Sequence, residues 1–244
     1  MLSRATQDAI WRRSRATQEL RAVLREYYPG FLAAFAKGGA ARGIDALAAQ
    51  LLNDLRTPQM RQPRLVEDAF GHQTLALPAT LNAECANADQ LTEATTAAFQ
   101  QHQDYAIITS FPGLADLSGA RVLGEIGDDR ARFTDARALK THAGSAPVTR
   151  ASGRSISITR RTVKNDRLNA AGFVRAFAGI GRAGAPRDHH HHRHRAPGDR
   201  HAAALRHLFN RFLGQLHHCL QTGQTHDPAK AFDPAFPTPT AAAA

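Results

Sequence analysis

Between Ala202 and Leu220 the chain carries Leu205, Leu208, Phe209, Phe212, Leu216 and Leu220 at spacings of three and four. A run with that period cannot alternate across a strand. It suits a helix with one face pressed against its neighbours. The same period recurs upstream. Leu20, Val23, Leu24 and Tyr27 form one stripe, stopped by Pro29-Gly30. Ile44, Leu47, Leu51, Leu52 and Leu55 form a second, broken at Thr57-Pro58. Val66, Phe70, Thr74, Leu77 and Leu81 form a third, within which Pro78 is expected to kink or end the helix. Asp89 suits the cap of a fourth helix bearing Leu91, Ala94, Ala98 and Phe99.

The fold class expected is therefore mainly α. Residues 1–103 read as an extended, coiled-coil-like helical linker. Residues 104–221 read as a compact helical domain with a helix–hairpin–helix-like unit and a small β element. Within it, Thr134 caps a short helix Asp135–His142 that closes at Gly144. Ile156 and Ile158 alternate with Ser and Thr, the mark of a strand or hairpin arm over Ser155–Arg160. Residues 222–244, with several Pro and a terminal run of Ala, read as a disordered tail. Residues 179–198, GIGRAGAPRDHHHHRHRAPG, break the style of both flanks. A local reading-frame slip and its correction is the preferred explanation, and the His run there suits adventitious metal binding.

The formal net charge of +10 is carried mostly by Arg, whose fork matches phosphate and guanine edges. That balance favours a nucleic-acid partner, with a membrane surface or simple solubility as the alternatives. The only cysteines, Cys85 and Cys219, lie far apart in helical patterns and read as buried thiols. No apolar run is long enough to span a bilayer. The first twenty residues lack the continuous apolar stretch of a signal peptide, while a transit peptide stays open. A cytoplasmic, bacterial location is expected.

Chemistry concentrates in Ser145–Arg167. Ser152 precedes Gly153 inside a segment holding Arg150, Arg154, Arg160, Arg161, Lys164 and Arg167. A hydroxyl beside a conformationally free residue is well placed to act as a nucleophile, and the surrounding cations suit a polyanionic substrate. A solvated turn on a solvated basic face is the bland alternative. No G-x-S-x-G elbow is present, and His142 near Ser145 is weak ground for a triad, so an acyl hydrolase is the least favoured reading. Upstream, Ile108–Ile126 (ITSFPGLADLSGARVLGEI) reads as two helices joined at Pro112-Gly113. Such a turn offers backbone N–H groups to a DNA phosphate. An ordinary αα-turn accounts for the pattern equally well.

The blocks FPGL…SGARVLGEIGD, RF-x-DARALK-x-HAG-x-AP, RASG and KNDRLNAAGF, with LREYYPGFL and PQMRQPRLVEDAFGHQTLAL before them and DRHAAALRHLFNRFLGQLHHCL after, carry a specific likeness. The chain resembles bacterial insertion-element transposases that pair a RuvC-like acidic nuclease domain with a C-terminal serine transposase domain, also called bridge-RNA-guided recombinases. The resemblance covers the linker and the C-terminal domain. It implies a DNA transposase or recombinase in which the serine of the SG pair, here Ser152, attacks a DNA phosphodiester and forms a phosphoserine link. Arg150 and Arg154 suit clamps on the phosphoryl oxygens; Gly153, Arg160, Arg161, Lys164 and Arg167, with Pro112 and Gly113, complete the expected DNA-binding set. DNA, a guide RNA and a second subunit are the implied partners.

The chain also departs from that pattern. The family's helix–hairpin–helix has a second glycine two residues after the first, where this chain has Ala115. The linker is short around Lys37–Gly43, and Asp8, Glu19 and Glu26 match none of the four metal-binding acidic positions of the RuvC-like domain. No metal site is expected in these residues; Mg²⁺ is implied for the acidic domain alone. The expectation is an N-terminally truncated, catalytically impaired copy that keeps nucleic-acid binding. A stand-alone binding or subunit-poisoning protein is the alternative.

Overall fold

Two long helices, α1 (Leu2–Tyr27) and α2 (Arg64–Gln100), dominate the first part of the chain in a computed structural model that describes residues 1–27, 63–181, 184–195 and 199–232. The described chain divides into two units, Met1–Ala94 and Thr95 onward. In the first, Ala16, Leu20, Val23 and Leu24 bury themselves against Leu77 and Leu81, with Phe70 and Cys85 packed alongside. Thr6 donates its hydroxyl to the Leu91 carbonyl at 3.0 Å, and Arg12 pairs with Glu84 at 3.0 Å. Partner numbers fall on α2 as they rise on α1, so the two helices run antiparallel. This is the side-by-side geometry that period-3.5 stripes favour.

Two expectations for α2 are corrected. Pro78 does not end it, and Asp89 does not cap a new helix; both lie inside one continuous helix. Proline removes one N–H from the ladder, but Leu77 and Leu81 on either side are buried, and their packing outweighs one lost hydrogen bond. Asp89 faces outward and pairs with Arg13 at 3.5 Å. Of the apolar residues assigned to the fourth stripe, Leu91 is half-buried and Phe99 buried, while Ala94 and Ala98 are exposed. The stripe at 44–55 lies outside the described residues.

The second unit follows the last turns of α2. Its elements are α3 (Tyr105–Thr109), α4 (Asp116–Ile126), a single 3-10 turn (Arg130–Arg132) and α5 (Ala136–His142). Then come β1 (Val148–Ser152), β2 (Ser155–Thr159), α6 (Asp166–Ile180), α7 (Ala185–Arg195), α8 (His201–Thr222) and α9 (Pro228–Ala231). The mainly helical fold with one small antiparallel sheet is as the periodicity implied. At its centre lies α8, whose Leu205, Leu208, Phe209, Phe212, Leu213 and Leu216 are all buried, with α5, α6 and α7 packed around it. Residues 179–198 supply the end of α6 and the described helix α7. Past α8, His226 is buried and Phe232 meets Phe212 edge-to-face.

Caps follow local chemistry. Asp135 rather than Thr134 caps α5, because its carboxylate accepts from Ala138 N at 2.7 Å. Asn165 caps α6, accepting from Leu168 N at 2.9 Å. No helix among the described residues is long and apolar enough to cross a membrane.

Candidate nucleic-acid interface

β1 and β2 form a two-residue hairpin in the register Val148↔Thr159, Thr149↔Ile158, Arg150↔Ser157, Ala151↔Ile156 and Ser152↔Ser155. Gly153, at the first turn position, has φ +55°, and a Cβ there would meet nothing within 4 Å. The turn thus uses glycine for its backbone angle and not for space, matching the strand twist. Paired residues share a face and faces alternate along a strand. Ser152, Ser155, Arg150 and Ser157 therefore line one side of the ribbon; Thr149, Ala151, Ile156 and Ile158 line the other. Every residue from Thr149 to Arg160 is exposed. The hairpin is an unsupported ribbon with Ser152 at its far end.

Charge reinforces that geometry. From Ala136 to Asn165 there is no Asp or Glu, while Arg137, Lys140, Arg150, Arg154, Arg160, Arg161 and Lys164 all fall in that span. Arg150, Arg154 and Arg160 are fully in solvent. Arg161 is half-buried, and Lys164 is already paired with Asp166 at 2.5 Å. Arg167, in the first turn of α6, lies near enough to Arg121 to help depress that guanidinium's pKa, behind the larger effect of burial.

Pro112 and Gly113 lie elsewhere. Gly113 adopts φ +81°, and a Cβ on it would stand 3.7 Å from the Arg175 carbonyl and from Ala178 Cβ. The turn thus packs on the C-terminal half of α6. Asn165 and Arg175 are ten residues apart, so this contact lies roughly 15 Å along the helix from the root of the ribbon. The structure gathers Arg150, Ser152, Gly153 and Arg154 at one place and leaves Pro112 and Gly113 at another. The α4 N-terminus is also partly occupied. Ala115 N donates to Ser118 Oγ at 2.9 Å, and Asp116 accepts from Tyr105 Oη at 3.0 Å. Ala115 itself is extended, with φ −95°, and needs no glycine.

Beneath that turn sits Arg175, 3% exposed, its guanidinium over Phe212 at 3.9 Å and Phe111 at 4.8 Å. Burial lowers its pKa to about 9. Nε points to the Pro112 carbonyl at 3.5 Å, and one terminal nitrogen has no hydrogen-bond partner among the described residues. His226 stacks on Phe111 at 4.4 Å; burial first, then Arg175, lowers its pKa to about 4.

Ser145 is 1% exposed and donates to Asn210 Oδ1 at 3.0 Å. It holds α5 to α8 and is closed to a substrate. Among the described residues no three His, Cys, Asp or Glu side chains gather as metal ligands, the 189–194 histidines included. The divalent ion implied by the resemblance finds no fitting carboxylate set here.

Sequence reasoning passed over Glu125, His142 and Asn165 as a group. Glu125 is 4% exposed and accepts from Asn165 Nδ2 at 2.7 Å; His142 Nε2 lies 3.3 Å from the same nitrogen. Burial, then Arg132, lowers the His142 pKa, against an opposing pull from Glu125. The available signal was a carboxylate falling among the buried positions of α4, a costly placement unless hydrogen-bonded.

Residues 105–202 match the family described as Transposase IS116/IS110/IS902 family. Over this stretch the chain is similar to that transposase family. The relatives agree. The mini-circle protein of IS117 from Streptomyces coelicolor is 47% identical over 271 aligned residues, covering 96% of this chain and 65% of that protein. The 42 kDa protein of insertion element IS900 from Mycobacterium paratuberculosis is 31% identical, covering 81% of this chain and 49% of that protein. The 44.8 kDa protein of IS116 from Streptomyces clavuligerus is also 31% identical, covering 77% and 46%. The chain thus spans between about half and two thirds of the length of these relatives. The matched segment contains the ribbon, the Glu125–Asn165 pair and the Pro112-Gly113 turn.

Proposed function

We propose that this chain acts in DNA transposition, with the Ser152 hydroxyl attacking a DNA phosphodiester. In that step a Ser152 Oγ–P bond forms, a bridging P–O bond of the DNA breaks, and the proton given up by the serine hydroxyl passes to the departing strand oxygen. Ester bonds are exchanged and not consumed, so a second strand can later displace the serine. Arg150 shares the Ser152 face and stabilises the phosphoryl oxygens, with Arg154 beside it in the turn. Arg160, Arg161, Lys164 and Arg167 track the backbone at the ribbon's base. The observation that carries this reading is the solvated ribbon, which presents the Ser152 hydroxyl, opposite that of Ser155, at its end among arginines and no carboxylates. By family resemblance a guide RNA, a second subunit and a Mg²⁺-binding acidic domain complete the machinery.

A second reading is binding without catalysis. It is favoured by the lack of any Asp or Glu from Ala136 to Asn165 to take the Ser152 proton. The two part on one assay. With Mg²⁺ and an intact family member present, end-labelled insertion-element DNA is expected to form an adduct that survives denaturation and is absent in Ser152→Ala. Under the binding-only reading both proteins give none.

Both readings require salt-sensitive binding. With Arg150, Arg154 and Arg160 alone on phosphates, log K should fall against log salt with a slope of about −3, approaching about −5 when Arg161, Lys164 and Arg167 also engage, and each Arg→Gln should reduce it by about 0.9. Affinity indifferent to ionic strength contradicts both.

A further inference from the structure

We infer that Glu125 and Asn165 are positioning residues that aim the Ser152 ribbon. The inference rests on the role proposed for Ser152 and names the device that places it. Every residue of the ribbon from Thr149 onward is exposed, so its pose is set where it joins the body. Both of its ends meet at the C-terminus of α5. On the way in, Gly144 adopts φ +73° with the Lys164 side chain against it; a Cβ there would fall 2.2 Å from Lys164 Cδ. On the way out, Asn165 N donates to the His142 carbonyl at 2.8 Å, and Asn169 Nδ2 to the Ala143 carbonyl at 2.9 Å.

Asn165 is the joint. Its Oδ1 caps α6, while its Nδ2 donates to Glu125 Oε2 and lies close to His142 Nε2. One amide therefore ties α4, α5 and α6 together at the point where β2 returns. Glu125 lies too deep for solvent to replace it, so its carboxylate fixes which way that amide faces. A carboxylate buried this deeply is not needed to hold the helices together, since the apolar core of α8 does that.

Small errors at the root grow along the ribbon. Five residue pairs span four steps of about 3.4 Å, a lever of roughly 14 Å, so a 10° tilt displaces Ser152 by about 2 Å. Displacements near 1 Å already cost on the order of a hundredfold in rate. The pair thus serves aim more than stability.

The test uses the full chain with Cys85→Ala and Cys219→Ala, and spin labels on cysteines placed at Ser155 and Thr222. One narrow distance distribution is expected for the parent. Glu125→Ala should broaden it or shift it by several ångströms. Glu125→Gln keeps an acceptor and should restore it. Should Glu125→Ala fail to fold, Asn165→Ser retains the α6 cap but cannot reach Glu125, and should shift the distance alike. Parent-like distributions in Glu125→Ala or Asn165→Ser overturn the inference. A photo-crosslinker at Ser155 then separates it from the DNA role. Capture of duplex DNA by the parent, reduced at least tenfold in Glu125→Ala with overall affinity within twofold, is the expected result. A parent that never crosslinks while the distance still responds to Glu125→Ala refutes the DNA role and leaves the joint standing. Crosslinking unchanged in Glu125→Ala refutes the aiming role.

Discussion

Gly172→Ala is expected to destabilise the second unit by about 3 kcal/mol or more, although alanine is the better helix former. Two effects oppose each other. Helix propensity alone favours Ala by about 1 kcal/mol. Against it, the new Cβ would lie 1.9 Å from Phe209 Cε2 and 2.0 Å from Cζ. Phe209 is 2% exposed, and Leu205, Leu208, Phe212 and Leu213 are buried around it on the same helix, so its ring has nowhere to move. Overpacking of a filled core wins. Thermal unfolding should fall by roughly 6 °C or more for a unit of this size. Adding Phe209→Leu, which removes the atoms that clash, should recover part of the loss. A Gly172→Ala protein melting at or above the parent would show that α6 and α8 can separate without loss.

Acid should weaken the same unit through its buried histidines. His226 and His189 are both held neutral by burial, with pKa values lowered to about 4; Arg175 adds to the effect on His226, and Arg211 and Arg193 to that on His189. An unfolded histidine titrates near 6.5. Between those values the unfolded chain binds more protons than the folded one, so stability rises with pH across the window. The contribution is complete above about 6.5, falls away as pH drops, and is gone near 4. For His226, which is 7% exposed, the full span is on the order of 3 kcal/mol. His189 is half-buried, and solvent screening makes its share smaller. His142, His190 and His207, also lowered first by burial, act in the same direction. Urea unfolding at pH 7.5, 6.0 and 5.0 should show stability falling at each step, and His226→Gln should flatten that fall. Equal stability at pH 7.5 and 5.0 would mean that these histidines become protonated without unfolding.

Much of this architecture was legible because its strongest signals are local. The α8 stripe, the Pro112-Gly113 turn and the alternation at Ile156 and Ile158 each report on a few neighbouring residues, and all three recur in the fold. Ser152 is singled out by its glycine and basic neighbours, and its nucleophile role by the resemblance; Arg150 is added by proximity to it. The misread features were settled by contacts distant in sequence. Pro78 and Asp89 look like breaks until α1 lies alongside α2. Glu125 falls among buried positions of α4, but its partner, the Asn165 amide, lies forty positions later. Arg175 carries no sequence signal of its own, and only the approach of Phe111 and Phe212 shows it to be internal. No window of twenty residues contains such pairs.

The hairpin buries almost nothing, and this has a consequence for how the protein can change. Elsewhere in the unit an altered side chain alters the fraction of molecules that are folded, so its effect on activity is confounded. Between Thr149 and Arg160 that coupling is nearly absent. Selection can try new residues around Ser152 with little risk to the body beneath, and a laboratory scan of the same positions, Gly153 apart, will report on chemistry rather than on folding.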